Sequence, residues 1–244
     1  MLRVTISGRT FSCLCSALLI VAAATARAEE KLFESVQLTP AGEYTSGIEG
    51  PAVDLDGNLY VVNFGRQGAI GRLAPGSAAS EKFIDLPEGS VGNSIRFARD
   101  GTMFIADYKK HNLFVVRNGN STPEVWFHSD QMNQPNDMTI GRDGTIYASD
   151  PNWKGRSGQI WRIAHGADGS VQGQVMAAPR AMGTTNGMDL SPDGKTLYVG
   201  ESGSGQVWAY EVSGNELNKA RLVKTFDRDT IDGVRTDVGG QLLI

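Results

Sequence analysis

The chain has 244 residues, 23 Lys+Arg against 27 Asp+Glu, and a formal charge of −4. An acidic chain with no run of Lys or Arg excludes nucleic acid and anionic lipid as its main partners. Both cysteines, Cys13 and Cys15, lie near the N-terminus, which leaves no disulfide framework, thiolate nucleophile or cysteine-based metal site for the body of the protein.

Residues 1–28 read as a signal peptide. Arg3 and Arg9 precede an apolar run through Ala17-Leu18-Leu19-Ile20-Val21-Ala22, and Ala26-Arg27-Ala28 has the small-x-small form of a cleavage site. The mature domain then covers residues 29–244, with 20 basic against 27 acidic residues and a charge of −7. A periplasmic or secreted protein is expected, free of the membrane after cleavage, because the apolar run is short and Ala-rich for a span. Lys31 to Leu38 alternates loosely and is expected to form a lone strand that pairs with the last repeat.

From Glu49 onward one pattern recurs. Gln134-Pro135-Asn136-Asp137 leads into Met138-Thr139-Ile140, an Asp143-Gly144 turn, and Thr145-Ile146-Tyr147-Ala148-Ser149-Asp150. Asp-Gly between two apolar runs signals a hairpin, read here as a two-residue primed turn in which Gly supplies the positive φ. The same unit begins at Glu49-Gly50-Pro51, Asn93-Ser94, Asn186-Gly187 and Asp232-Gly233, and successive turn glycines are 43 to 50 residues apart. That period belongs to propeller blades rather than helical solenoids. Third strands are expected at Leu113 to Val116, Ile160 to Ile163 and Val207 to Tyr210. Fourth strands are expected at Phe83-Ile84, Val125 to Phe127, Val175-Met176 and Leu222-Val223. Four strands per repeat make a blade, and no stretch has the length and period of an amphipathic helix. The expected fold is an all-β propeller, C-terminally incomplete, with four blades and the first hairpin of a fifth before Ile244.

Glu49, Asn93, Asn136, Asn186 and Asp232 each stand eight residues before the turn glycine of their repeat. In a propeller the first strand of every blade lines the central channel, so one position repeated at strand starts forms a ring about the axis. Two carboxylates and three amides facing one another call for a cation or ordered water between them. An oxygen-only set favours calcium, with magnesium second. Loops from second to third strand return to the same face and form the expected substrate rim: Asn63 to Gln67, Asp107 to His111, Asp150 to Arg156, and Glu201 to Gly205. Tyr108 and Trp153 are the aromatic candidates for ligand contact. Trp126, Trp161 and Trp208 lie in strand runs and are expected to pack between blades. His111, His128 and His165 fall outside the repeat phase and read as surface or structural histidines. No nucleophile-elbow pattern supports a serine-hydrolase triad.

The motifs Glu49-Gly50-Pro51, Pro135-Asn136-Asp137, Asn186-Gly187-Met188-Asp189-Leu190-Ser191-Pro192-Asp193-Gly194 with Leu197-Tyr198-Val199, and Asp232-Gly233 resemble the regucalcin/gluconolactonase family of six-bladed propellers. That family is related in architecture to diisopropyl fluorophosphatase and paraoxonase. The resemblance implies an axial divalent metal, calcium first and magnesium or zinc as alternatives, held at Glu49, Asn136, Asn186 and Asp232. It also implies hydrolysis of a small lactone or ester, with Asp232 as general base or nucleophile. Asp137 would support the ring or touch substrate, and Asn93 would add a substrate contact. Sugar-lactone members carry an Arg two positions before the third-blade Asn, where this chain has Gln134. A non-catalytic propeller that binds a small ligand or protein partner, or an inactive shortened product, are the alternatives.

Overall fold

Strand-forming runs punctuated by Asp-Gly turns build four four-stranded antiparallel sheets and one two-stranded hairpin. The computed structural model describes residues 35–117, 120–227 and 230–244, and contains no helix among them. The first blade is β1 (Ala52–Val53), β2 (Leu59–Val62), β3 (Ala69–Leu73) and β4 (Glu81–Asp85). The second is β5 (Gly92–Phe97), β6 (Met103–Asp107), β7 (Asn112–Val116) and β8 (Glu124–His128). The third is β9 (Met138–Ile140), β10 (Ile146–Asn152), β11 (Ser157–His165) and β12 (Val171–Val175). The fourth is β13 (Thr185–Leu190), β14 (Thr196–Glu201), β15 (Gln206–Ser213) and β16 (Glu216–Thr225), and β17 (Arg235–Thr236) pairs with β18 (Leu242–Leu243). The innermost strands β1, β5, β9, β13 and β17 are neighbours in that order. This is the propeller arrangement read from the repeats.

Strand alternation explains why the blades stack. In Met103-Phe104-Ile105-Ala106 every residue is buried, and successive side chains leave on opposite faces. Met103 and Ile105 pack with Val62, Ile70 and Ile84 of the first blade. Phe104 and Ala106 pack with Met138, Ile146 and Trp161 of the third. Tyr147 and Ile160 of the third blade meet Met188, Leu197 and Tyr210 of the fourth in the same way. Each fully buried Ile or Phe contributes about 1.5–3 kcal/mol, so cohesion lies between sheets rather than within one. Trp126, Trp161 and Trp208 all sit in these inter-blade layers.

The turn chemistry differs from the sequence expectation. Gly57, Gly101, Gly144 and Gly240 have φ of 82–84°, but no Asp of an Asp-Gly pair has positive φ. The Gly57 N–H donates to Asp54 O (3.2 Å), and Asp54 N–H donates to Asn58 O (3.1 Å). This is a three-residue loop, a type I turn closed by a left-handed glycine, which requires positive φ at one residue instead of two. Lys195 makes the fourth-blade turn one residue longer, so that Ser191 N–H reaches Thr196 O (2.8 Å). The lone strand expected at Lys31 to Leu38 is also corrected: residues 35–38 are irregular, while 31–34, like the signal segment, lie outside the described residues. Met176 lies just past β12.

Candidate metal and active site

All five in-phase residues converge. Glu49, Asn93, Asn136, Asn186 and Asp232 line one axial cavity of about 530 Å³, together with Tyr108, Gln134, Trp153, Ser202, Thr230 and Ile231. The same five also line a deeper chamber of about 330 Å³, with Ser94, Asp137 and Arg235. The ring therefore forms the waist between an outer vestibule and an inner chamber. Glu49, Asn136 and Asp232 stand just before β1, β9 and β17, whereas Asn93 and Asn186 sit where β5 and β13 lose register with their partners. Such irregularities re-aim a side chain out of the pleat.

Glycines allow the close approach. Gly187 carries the backbone of β13 against the start of β17, its N–H donating to Asp232 O at 2.7 Å. The Asn186 Nδ2 donates to Ser202 Oγ (2.9 Å), Ile231 O (3.3 Å) and Asp232 Oδ1 (3.1 Å). A carbonyl and a carboxylate can only accept, which fixes the amide orientation and leaves Asn186 Oδ1 as its remaining ligand atom. Burial, then the facing Asp232 and Asp137 carboxylates, push the Glu49 carboxyl above its usual range. The ring thus concentrates negative charge that a cation would relieve. Among the described residues no three His, Cys, Asp or Glu side chains converge, so a cation here would rely on amide oxygens beside the two carboxylates.

Asp137 lies beneath the ring and is almost wholly buried. Its carboxylate accepts from Arg96 Nη2, from Arg235 Nη1 (2.7 Å) and Nη2 (3.2 Å), and from the N–H groups of Met138 (2.8 Å) and Met188 (3.0 Å). Burial pushes this carboxyl above its usual range, against the pull of Arg96 and the two backbone N–H groups and with a further push from the Asp189 carboxylate. Five donor contacts suit an acceptor-only carboxylate, and they leave it engaged with protein rather than facing a ligand. Arg96 and Arg235 escaped the sequence reading, although a signal existed: each stands five residues before its turn glycine.

The rim loops divide in two. Tyr108 and the exposed Trp153 reach the vestibule, as does Ser202, but the loop from Asn63 to Gln67 contributes nothing to its lining. The acids that open these loops are not ligand groups. Asp107, Asp150 and Glu201 are buried and act as staples. Asp150 accepts from Asn133 N–H (2.8 Å), Gln134 N–H (2.7 Å), Gln159 Nε2 (2.7 Å) and Trp161 Nε1 (3.0 Å). Asp107 caps the N–H groups of Val91, Lys109 and Lys110, and Glu201 pairs with Arg180. Loop backbone must find partners wherever it is buried, and Asp107 and Asp150 supply them. Thr230 and Ile231, which precede Asp232, were not anticipated. No histidine lines either space.

A family model described as the SMP-30/Gluconolactonase/LRE-like region matches residues 48–244. A gluconolactonase of Zymomonas mobilis is 24% identical over 161 residues, which is 57% of this chain and 42% of that protein. The chain thus spans less than half the length of that relative. A solved gluconolactonase of Xanthomonas campestris has a similar fold, with a TM-score of 0.69, 21% identity, and coverage of 82% of this chain and 70% of that one. Regucalcin of Agrobacterium tumefaciens, a calcium-binding protein, gives a TM-score of 0.63, 19% identity, and coverage of 86% and 72%. The match across nearly all of the repeat region, together with the propeller blades, establishes that the chain belongs to the SMP-30/gluconolactonase/LRE-like family.

Proposed function

We propose that this chain carries the site of an exported, metal-dependent hydrolase of small lactones or related esters. The observation that carries the reading is the convergence of the five strand-start residues on one cavity, with Glu49 facing Asp232. Glu49, Asn136, Asn186 and Asp232 would hold a divalent ion, and their all-oxygen chemistry favours calcium. The chemistry a bound ion supplies there is polarisation of the lactone carbonyl and an offset for charge on its oxygen.

The chain's own groups do the rest. Asp232, solvent-exposed at the mouth, accepts a proton from water as that oxygen bonds to the carbonyl carbon. The ring C–O bond then breaks, and the departing oxygen takes the proton back. Trp153 and Tyr108 offer apolar faces to the substrate, and the Gln134 and Asn93 amides offer hydrogen bonds to its polar groups. Gln134 is neutral, so it recognises hydroxyls or carbonyls without supplying charge.

The test is hydrolysis of a lactone and ester panel with and without calcium, beside Asp232→Asn. Loss of about 10²–10⁴-fold in turnover supports a general base. Ligand binding with no turnover in the wild type would sink the hydrolase reading. Export is checked by N-terminal sequencing of the protein recovered from the periplasm or medium, with Glu29 as the expected first residue.

A further inference from the structure

Asp137 gathers four blades onto one carboxylate. Arg96 reaches it from β5, and the same guanidinium donates through Nε to Met138 O (2.7 Å) on β9. Met138 N–H and Met188 N–H bind it from β9 and β13. Arg235 reaches it from β17 with two nitrogens, and its Nη1 also donates to Met188 O (3.3 Å). The fifth-blade segment is also tied to the fourth blade, by Thr236 donating its N–H (2.9 Å) and Oγ1 (3.2 Å) to Asp189 Oδ2 and by burial of Ile231 and Val234 against Val207, and the Asp137 contacts extend that tie to the second blade. β17 has two residues and pairs only with the two of β18, and Asp232 lies three positions before Arg235.

The position is singular within the repeat. The residue after the ring position is Gly50, Ser94, Gly187 or Gly233 in the other units, and Asp137 in the third. Four small residues leave axial space that one carboxylate fills. Its side chain is 7% exposed, against 14% for Arg96 and 36% for Arg235. Arg96 and Arg235 bring positive charge just below Glu49 and Asp232, balanced by Asp137 and the neighbouring Asp189 carboxylate. Charges balanced in this way offer a cation in the ring no net attraction. Geometry is the benefit that remains.

We propose that Arg96, Asp137 and Arg235 form a positioning clamp for the metal site: the clamp fixes the Asp232 strand against Asn186 and Asn136, and so sets the spacing of the ring oxygens. This rests on the reading of Asp232 as a metal ligand. The clamp residues touch neither metal nor substrate; they act through the ligands, as outer-shell partners of metal sites do.

The two possible effects of removing Arg235 have opposite signs, which makes the test decisive. Calcium binding is measured by titration calorimetry on the full chain for wild type, Asp232→Asn, Arg235→Met, Arg235→Lys, and Val115→Ala. Val115 is buried between the second and third blades and away from the ring, so it serves as a destabilised control. Positioning predicts affinity about 10–100-fold weaker in Arg235→Met, intermediate in Arg235→Lys, and unchanged in Val115→Ala at a similar fall in Tm. Affinity equal to or tighter than wild type in Arg235→Met overturns the clamp. Should Arg235→Met lack a cooperative melt, Arg235→Lys decides: several-fold weaker binding supports the clamp and wild-type affinity overturns it. Asp232→Asn separates the two claims, because retained binding there overturns the metal reading itself.

Discussion

Gly187 and Gly233 occupy the same place in the repeat, each following a ring residue, yet replacing them by Ala should have very different outcomes. A Cβ at Gly187 would lie 2.1 Å from Asp232 O, 2.4 Å from Val234 N and 2.7 Å from Gly233 C, whereas one at Gly233 meets no heavy atom within 4 Å. Neither glycine has positive φ, so the contrast isolates close approach from backbone strain. Ordinary carbon contacts begin near 3.5 Å, so β17 must retreat by about 1 Å. Overpacking costs about 1–3 kcal/mol, and losing the Gly187 N–H to Asp232 O bond costs about 0.5–1.5 kcal/mol more. Together these give about 1.5–4.5 kcal/mol, or a fall in Tm of about 3–18 °C for a domain of this size. Since Asp232 moves with the strand, calcium affinity should fall too, and turnover by about 10²-fold. Gly233→Ala should stay within about 0.5 kcal/mol. Thermal melts by circular dichroism, calcium titration and hydrolysis read all three effects. Equal behaviour of the two variants would refute the claim that β13 and β17 meet through Gly187.

Asp137→Asn should destabilise by about 3–5 kcal/mol in chemical denaturation, because it leaves two guanidiniums without their anion. A loss below about 1 kcal/mol would mean that burial keeps Asp137 protonated, for which Asn is nearly isosteric. Glu49 gives a pH signature in chelator-treated protein. Its carboxyl is raised by burial and by Asp232 and Asp137, so the native state holds a proton that the unfolded chain has released. Stability should therefore fall as pH rises from the ordinary Glu range through the raised value, and Glu49→Gln should remove that fall. Melts from pH 4 to 8 that overlay for the two proteins would contradict the facing carboxylates. Asp150→Asn turns a donor, the amide NH2, towards donors already in place, and each mismatched contact costs about 1–3 kcal/mol. Its melt should drop accordingly, with weaker substrate binding as the Asn133-Gln134 segment loosens.

The ring was legible because its signal is local and repeated. The distance from strand start to turn glycine is set by hairpin geometry alone, so equal spacing in five units means equal height on the axis. The same reasoning placed the inter-blade tryptophans. It failed where polar groups had two possible partners. Asp107, Asp150 and Glu201 belong to loops expected to form the substrate rim, but Asp107 and Asp150 satisfy loop N–H groups from segments 16 residues away and Glu201 pairs with the Arg180 guanidinium. Asp-Gly suggested a primed turn, but the hairpins use the three-residue form, lengthened by one residue in the fourth blade, in which Asp keeps negative φ.

By itself the sequence determined the four-stranded repeat from Glu49 onward, the position of each turn and which residues share the ring phase. Alternation of side chains and the freedom of Gly at positive φ act within a few residues. Tertiary structure decided what neighbouring blades do to one another. It pressed Gly187 against Asp232 O while leaving Gly233 open space, and it set Asp137, expected to support the ring or touch substrate, between Arg96 and Arg235. Those outcomes depend on distances between strands 40 to 100 residues apart, where the partner of a charge is fixed by packing and burial rather than by spacing.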